Sequence, residues 1–306
     1  MAMRIGLTGW ASSVDGIVAQ ARQAEADGFS ALWLASGVTG DPLVPIAIAG
    51  RETSRIELGT AVLQTFPCHP LLQANRVASA ANAIGRSGVT LGIGPSHDAV
   101  VREVYGLSYD HPGADTEEYV RVVAPLLRGE TVDLDGEHWS THSAGRMVDV
   151  AHPVPVLLAA LGPRLLRVAG EVTDGTLLWL ANAKVIETHV SPKIRAAAAA
   201  AGRPEPRIVA GLPVAVHDDV VEARAAQAQA AALYASRPNF RAVVEMGGSS
   251  SPADAAIVGD EQSVTRQLQA LLDAGATEIH AAIFPVGPDP KASTLRTRTL
   301  LASLVG

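Results

Sequence analysis

The chain has 306 residues, a formal net charge of −7 and a pI near 5.7. Its 48% hydrophobic residues are enough for a sizeable core, in one large α/β barrel with insertions or in two smaller domains. The acidic balance, with no Lys/Arg run, argues against nucleic acid as a partner. A single cysteine, Cys68, excludes an internal disulfide and a multi-thiolate metal site, and this indicates a cytoplasmic protein.

The N-terminal residues MAMRIGLTGW lack the apolar core of a secretory signal, which needs about 7 to 15 residues. The apolar stretch 154–166 is interrupted by Arg164 and is too short to cross a bilayer. We therefore expect neither a targeting segment nor a contact with a membrane.

Apolar, β-prone runs alternate with helix-like stretches from residue 4 to residue 284. Runs of this kind are typical of strands buried on both faces, as in a parallel sheet. A strand–helix unit repeated eight times closes into a barrel. The predicted fold is therefore a (β/α)8 TIM barrel, with 1–306 as a single domain. The predicted strands are 4–8, 31–35, 56–63, 89–93, 154–160, 176–181, 207–216 and 277–284.

The first predicted helix is Val14–Asp27, which has apolar or small residues at helical spacing and is followed by Gly28 as its stop. The Leu-rich segment before Gly275 has the same pattern ahead of the last strand. Repetition of the pattern at both ends supports a closed barrel.

Two long gaps between strands predict insertions near 97–153 and 217–276. In the first gap we expect a helix over 114–127 and a hairpin that turns at Asp135-Gly136. In the second we expect an Ala-rich helix over 219–235 and a polar surface loop at 249–252.

The third predicted strand has small side chains at Gly59, Thr60 and Ala61 and ends with Val62, Leu63 and Gln64. Small side chains leave space above the end of a strand. In a barrel the carboxyl ends of the strands and the loops that follow them surround the open face where active sites lie. We therefore expect residues 59–64 to line a pocket.

Three separated blocks occur in a fixed order: GTAVLQTFPCHP, VTLGIGPSHDAV and PVLLAALGPRLLRVAGEVTDGTLLW. The ordered set resembles the bacterial luciferase-like flavin and deazaflavin oxidoreductases, above all members that use coenzyme F420. The resemblance extends from RIGLTG near the start to DAGATEIHAAIF near the end. It implies a luciferase-like barrel, F420 as cofactor with FMN as the alternative, a small organic substrate and pairing as a homodimer.

The resemblance also suggests a non-prolyl cis peptide at Ala61-Val62, where deazaflavin-dependent relatives have a bulge against the cofactor ring. An ordinary trans strand is the alternative, because such a cis bond costs about 3 kcal/mol. Trp10, Ser36 and Trp179 end strands one, two and six, where each side chain can wall the ring or the substrate. Each of these three residues equally suits the core.

His97 follows the fourth strand in GIGPSH, at a position expected to project into the barrel mouth. Because imidazole exchanges a proton near neutral pH, His97 is the first candidate for a general acid. The alternative is a histidine that caps the next helix. In sugar-phosphate dehydrogenases of the resembling family the matching position looks like a glutamate, so the residue differs here. We interpret His69 as a turn-fixing side chain and assign Cys68 no catalytic role.

The segment Ala159, Ala160, Leu161, Gly162, Pro163 and Arg164 combines a strand end, a glycine that permits close approach and a proline at the first position of a helix. Unpaired amides and the helix dipole favour a cofactor phosphate at that point, and Arg164 can add a charge-assisted contact. The alternative is a well-capped helix with a solvated arginine. No GxGxxG follows a strand and no Walker lysine motif occurs, so neither a Rossmann site nor a P-loop is indicated.

Most deazaflavin relatives have an acidic residue and a histidine after strand two, whereas this chain has LWLASGVTGD there. Asp41 in that segment suits a helix N-cap. The function that the resemblance implies is hydride transfer between the C5 atom of F420 and an organic substrate. An FMN-dependent monooxygenase and a flavin-binding or deazaflavin-binding protein without turnover are the alternatives.

Overall fold

The computed structural model describes residues 2–36, 40–143, 145, 147–235 and 237–305, apart from the side chain of Leu233. Within them, parallel strands in the order β1-β2-β3-β5-β8-β9-β10-β12 form a barrel, which closes where β12 pairs with β1. The strands are β1 Ile5–Gly9, β2 Ala31–Leu34, β3 Glu57–Thr60, β4 Leu63–Gln64, β5 Val89–Gly94, β6 Asp133–Asp135, β7 Ser140–His142, β8 Val156–Leu158, β9 Gly175–Trp179, β10 Arg207–Val216, β11 Ile257–Gly259 and β12 Glu278–Ile283.

This architecture confirms the predicted (β/α)8 barrel. The third predicted strand is divided: β3 ends at Thr60, and β4 resumes at Leu63 and pairs with β5. The predicted strand 154–160 is shorter, since β8 covers Val156–Leu158. β11 extends the sheet beside the end of β10, and β6 and β7 form a separate antiparallel pair.

Helices alternate with the barrel strands, as predicted. None in the described part of the chain is long and apolar enough to cross a membrane. The α-helices are α1 Val14–Ala26, α2 Leu43–Arg51, α3 Pro70–Ile84, α4 Pro112–Leu127, α5 Pro163–Val172, α6 Ala183–Val185, α7 Ser191–Ala200, α8 Val220–Ala235, α9 Pro238–Met246, α10 Glu261–Asp273 and α11 Pro290–Leu304. Two π-helical segments, Val100–Val104 and Ile186–Val190, and one 3₁₀ turn, Pro252–Ala255, accompany them.

Local capping explains why the first helix begins and ends where the sequence predicts. The Ser13 side chain accepts a hydrogen bond from the amide of Gly16 and caps α1. Gly28, at φ +87°, then reverses the chain in a left-handed conformation that favours glycine. The same device ends α10, where Gly275 has φ +109°.

The predicted hairpin is present in the first insertion, but its loop is four residues long, 136–139, between β6 and β7. The carboxylate of Glu118 on α4 accepts hydrogen bonds from the amides of Glu137, His138 and Trp139. These long-range bonds fix a wider turn than the local Asp-Gly signal predicts.

The prediction of a surface loop at 249–252 is wrong for the last two of these residues. Ser251 caps the 3₁₀ turn, the carboxylate of Asp254 accepts in return from the amide of Ser251, and Pro252 and Ala253 are buried. This reciprocal capping box stabilises a turn that packs against α8.

The amino ends of the barrel strands meet in a cluster of charged side chains. Arg207 on β10 donates from Nε to Glu278 Oε1 at 2.6 Å and from Nη2 to Glu57 Oε1 at 2.8 Å. Burial alone would raise the pKa of Glu278, but the hydrogen bond and charge of Arg207 lower it below its ordinary value. We call Arg207, Glu57 and Glu278 the basal ion cluster; it fills this end of the barrel.

Above the basal ion cluster the interior is packed with large rings. Trp33 is 1% exposed and lies against Gly59, where an added Cβ would come within 2.2 Å of Trp33 Cζ3. His280 is buried between Trp33 and Trp179, with ring-centroid separations of 5.9 and 6.1 Å, and its Nε2 lies 2.7 Å from Thr8 Oγ1. Among the described residues the interior is therefore packed, and this packing leaves the carboxyl end of the barrel for a ligand.

Removal of Arg207 should destabilise the fold strongly, because the buried Glu278 and the half-buried Glu57 would keep only the exposed Arg4 as a charged partner, at 3.2 and 3.4 Å. For Arg207→Gln we expect the free energy of unfolding to fall by about 3 kcal/mol, measured by urea denaturation. Arg296→Gln is the control: Arg296 pairs with Glu261 on the surface, and its loss should cost less than about 1 kcal/mol. Equal costs for the two variants would show that the basal ion cluster does not stabilise the barrel.

Candidate active site

The predicted pocket residues lie at the carboxyl ends of neighbouring strands. Because these strands are parallel, their following loops surround one mouth, which we define as the open carboxyl end of the barrel. Trp10 and Ser36 follow β1 and β2, His97 follows β5, and Trp179 ends β9. Trp10 is 67% exposed, so it is not a core residue.

The mouth has a floor of small residues. The Ala61-Val62 peptide is cis, as the resemblance suggests, and both side chains are partly exposed. A Cβ added at Gly94 would lie 3.0 Å from Ala159 Cβ and 3.3 Å from Val62 Cγ2. Larger side chains at these positions would fill the space above the floor.

The other residues of this strand end have different roles. Thr60 is buried and donates its hydroxyl proton to the carbonyl of Gly92 at 2.6 Å, so its side chain holds β3 to β5 instead of facing the mouth. Gln64 accepts a hydrogen bond from Tyr105 at 3.1 Å. Gln64 and Ser36 line a cavity of about 310 Å³ beside the ends of β2 and β4.

The N-terminus of α5 is open among the described residues. Gly162 is its N-cap, with φ −81° and ψ 155°, and no side chain caps the helix. A Cβ at Gly162 would meet nothing within 4 Å. Pro163 occupies the first turn, and the side chain of Ala160 is buried while the carbonyl of Leu161 accepts from His189 Nε2 at 2.9 Å. The amides that follow Pro163 are therefore available to an anion.

Arg164 is engaged in an ion pair. Its Nε donates to Glu117 Oε2 at 2.8 Å, and the same carboxylate also binds Arg121 and Arg167. Burial would raise the pKa of Glu117, but these three guanidinium groups lower it to about 2. Arg164 thus belongs to a cluster on α4 and α5 with three arginines and two carboxylates, the second being Glu171.

His97 is half-buried and accepts a hydrogen bond at Nε2 from Nη1 of Arg237. Burial and the positive charge of Arg237 lower the pKa of His97 to about 4. The helical turn that follows begins at Asp98, and the His97 carbonyl accepts from the amide of Val101 at 3.0 Å, but among the described contacts the His97 side chain makes no capping bond to that turn. At neutral pH the imidazole is therefore neutral, and its Nε2 lone pair is occupied by the arginine.

A series of rings connects the barrel interior to His97. Beyond Trp179, the ring centroids of Trp179 and Tyr234 are 6.2 Å apart and those of Tyr234 and Phe240 are 4.9 Å apart. Phe240 lies 6.5 Å from His97, and the guanidinium of Arg237 lies over the Tyr234 ring at 5.3 Å. The junction of α8 and α9 thus forms one wall of the mouth.

Two residues near the mouth, His69 and Asp41, have structural roles, and the interpretation of His69 as a turn-fixing side chain is confirmed. His69 caps α3, since its Nδ1 accepts from the amide of Leu71 at 3.3 Å, which fixes the turn after β4. The N-cap of α2 is Pro42 and not Asp41, which the sequence suggested; Asp41 lies one residue earlier, where its carboxylate accepts from the amide of Leu43 at 2.9 Å and pairs with Arg76.

Some residues of the mouth have no signal in the sequence. Ser96 and Leu180 follow β5 and β9 with φ +65° and +62°, a strained conformation for residues that have a Cβ. Tyr109 donates to the carbonyl of Ser96 at 3.1 Å, and burial raises the pKa of Tyr109 to about 12. Arg237 contacts His97 across 140 residues of sequence. The local sequence around Arg237 indicates the start of a helix at Pro238 and does not indicate this contact.

A closed parallel barrel with an open helix N-terminus and a small-residue floor at its mouth defines a barrel enzyme whose site lies at the carboxyl ends of its strands. The family model described as luciferase-like monooxygenase matches residues 3–294. The chain belongs to this family and is an oxidoreductase.

Relatives from both cofactor groups share the fold. The chain is 28% identical over 298 residues to the 5,10-methylenetetrahydromethanopterin reductase of Methanolobus tindarius, covering 88% of this chain and 90% of the relative. The coenzyme F420 dependent tetrahydromethanopterin reductase from Methanopyrus kandleri superposes with a TM-score of 0.79 at 23% identity, covering 99% and 98% of the two chains. The oxygenating constituent of 3,6-diketocamphane monooxygenase from Pseudomonas putida, in complex with FMN, gives 0.74 at 16% identity, covering 100% and 98%.

The His97 imidazole should titrate well below its ordinary pKa of about 6.5. We expect a pKa of about 4 from an NMR titration of its Cε1 proton, because burial and Arg237 both disfavour the imidazolium. Arg237→Gln removes one of these causes and should raise the pKa, while Arg241→Gln, on the exposed side of α9, should not. A wild-type pKa near 6.5 would contradict the arrangement.

Proposed function

We propose that the protein is an F420-dependent oxidoreductase that transfers a hydride between the deazaflavin C5 atom and a small organic substrate. The observation that carries the proposal is the uncapped N-terminus of α5 at Gly162, beside the small-residue floor of the mouth. An F420-dependent reductase with the same fold over almost the whole chain supports this choice of cofactor.

The described residues fit a flat ring with a phosphate-bearing tail. Ala61, Val62 and Ala159 form a floor without bulky side chains, partly exposed to the mouth. The indole N–H of Trp179 is buried and has no acceptor among the described residues, so it offers a donor to a ring heteroatom. Trp10 and Ser36 would complete the rim on the β1 and β2 side.

The cofactor phosphate would bind the amides that follow Pro163, with Gly162 permitting close approach. Arg164 would contribute mainly through the charge of its cluster, since its guanidinium is held by Glu117. The cluster contains one more guanidinium than carboxylate, so it favours an anion near the start of α5.

The cofactor would supply the hydride chemistry, and the protein would supply the walls, the phosphate site and a proton-exchanging group. His97 is the candidate for that group, because its ring lies at the mouth among Phe240 and Arg237. As a neutral imidazole it is a proton acceptor, and Nε2 becomes available only when Arg237 withdraws its N–H. The role as general acid would require His97 to gain a proton first.

An FMN-dependent monooxygenase is the second candidate, favoured by the fold shared with the FMN complex from Pseudomonas putida. Both cofactors have a three-ring system and a phosphate, so the same floor and helix N-terminus would suit either. A binding protein without turnover would use the same residues and is distinguished only by its lack of reaction.

Separate titrations of the purified protein with F420 and with FMN distinguish these candidates. We expect selective micromolar binding of F420, seen as quenching of tryptophan fluorescence, because Trp10 and Trp179 lie at the mouth. Selective binding of FMN would favour the monooxygenase, and binding of neither would contradict both. An unchanged F420 absorbance band with every oxidisable or reducible compound tested would favour the binding protein.

Substitutions at Gly162 test the phosphate site. We expect Gly162→Asp to weaken F420 binding about tenfold, because a carboxylate would repel the phosphate at the helix start. The Asp side chain is also a good N-cap in this extended conformation, so the variant should fold with unchanged or improved thermal stability. Gly162→Ala, whose Cβ meets no neighbour, is the control and should bind normally. Equal affinities for all three proteins would place the phosphate elsewhere.

A further inference from the structure

We propose that Arg237 is a specificity-determining residue that binds a carboxylate group of the substrate at the mouth. The inference rests on the proposed function for the reaction itself, and it adds the chemical class of the substrate. It depends on three features of Arg237: its missing counter-ion, its unused donors and the apolar rings around it.

Arg237 is half-buried and has no carboxylate partner among the described residues. A guanidinium has five N–H donors, and the one side-chain hydrogen bond of Arg237 within this part of the chain goes to the neutral imidazole of His97. By contrast, other arginines near the mouth are paired: Arg76 with Asp41, and Arg102 with Asp98 and Asp110. The charge of Arg237 and its remaining N–H donors are thus available to a ligand.

The acidic residue next to His97 does not supply the missing charge. Asp98 is exposed and engaged with Arg102, one helical turn further along. Tyr109, which lies near enough to Arg237 to feel its charge, is a neutral phenol at physiological pH, and burial raises its pKa further, to about 12. A partly desolvated cation without a counter-ion is costly, so an anion that enters the mouth gains both Coulomb energy and hydrogen bonds.

The surroundings of Arg237 indicate what the anion is attached to. One face of the guanidinium is covered by the Tyr234 ring, and Phe240 and Trp179 continue this wall. A planar carboxylate matches the guanidinium fork in a bidentate geometry, and the rings would contact an apolar or aromatic body beside it. The expected substrate is therefore an organic acid with an apolar body.

Binding of the carboxylate would also change His97. The Nη1–H group that now points to His97 Nε2 is one of the donors that an oxyanion would compete for. Once a carboxylate takes it, the Nε2 lone pair is released toward the ligand. Arg237 would then be a positioning residue for His97 as well as a binding residue, so an acidic substrate would prepare its own proton acceptor.

The test uses benzoate as probe and benzamide as its uncharged counterpart, titrated into the apo-protein and followed by the His97 Cε1 proton resonance. We expect saturable benzoate binding that shifts this resonance and that Arg237→Gln weakens about tenfold or more. Benzamide should bind weakly to wild type and variant alike. Arg241→Gln, an exposed arginine one turn further along α9, is the matched control and should bind benzoate normally.

Equal benzoate affinity in the wild type and Arg237→Gln, or equal binding of benzoate and benzamide, would overturn the proposal. A separate titration with F420 distinguishes the substrate from the acidic tail of the cofactor. Unchanged F420 affinity in Arg237→Gln supports the substrate assignment, and a loss of affinity that matches the loss for benzoate overturns it. Benzoate is tested without cofactor. A failure of F420 to bind would therefore contradict the proposed function, and the benzoate titration would still test the role of Arg237.

Discussion

The basal ion cluster is the interaction on which the arrangement of this barrel depends. Arg207 joins β10 to β12 through Glu278 and reaches across to β3 through Glu57, so one side chain ties strands from opposite parts of the sequence. Breaking a largely buried ion group of this kind is costly, because a charge would be left without its partner. With that end filled and Trp33 packed above it, the chemistry is confined to the carboxyl ends of the strands.

The sequence predicts the barrel well because each strand is a short apolar run buried on both faces, and this signal is local. The helix ends at Ser13 and Gly28 are also local, since one side chain and one glycine decide them. The prediction fails where a distant residue decides the outcome. Glu118 sets the hairpin loop from α4 in this way. The miss at 249–252 has a different cause, because a local capping box of Ser251 and Asp254 orders a stretch whose composition is typical of a surface loop.

The candidate site shows the same division between features that local sequence determines and features that distant residues determine. Its positions were predictable, because strand ends in a parallel barrel share one mouth, and His97, Gly162 and Trp179 all lie there. Their chemical states were not. The protonation of His97 is determined by burial and by Arg237, and the free charge expected of Arg164 is taken up by Glu117 on the preceding helix. No local pattern contains either partner.

The charge distribution indicates which ligands the site prefers, and its shape alone does not. The whole chain is acidic, with a net charge of −7, yet the mouth has Arg237 without a carboxylate partner in the described residues, and the start of α5 adjoins a cluster with surplus arginine. In a protein that repels anions at long range, such local cations select anions that also fit the pocket. The two anion sites proposed at this mouth would suit a reaction between two partners that each have a negative group. The helix N-terminus would hold the phosphate of one, and the guanidinium beside the rings would hold the carboxylate of the other. The floor of Ala61, Val62 and Ala159 belongs to the same mouth, and its small side chains would leave room for two flat molecules to approach each other for the proposed hydride transfer.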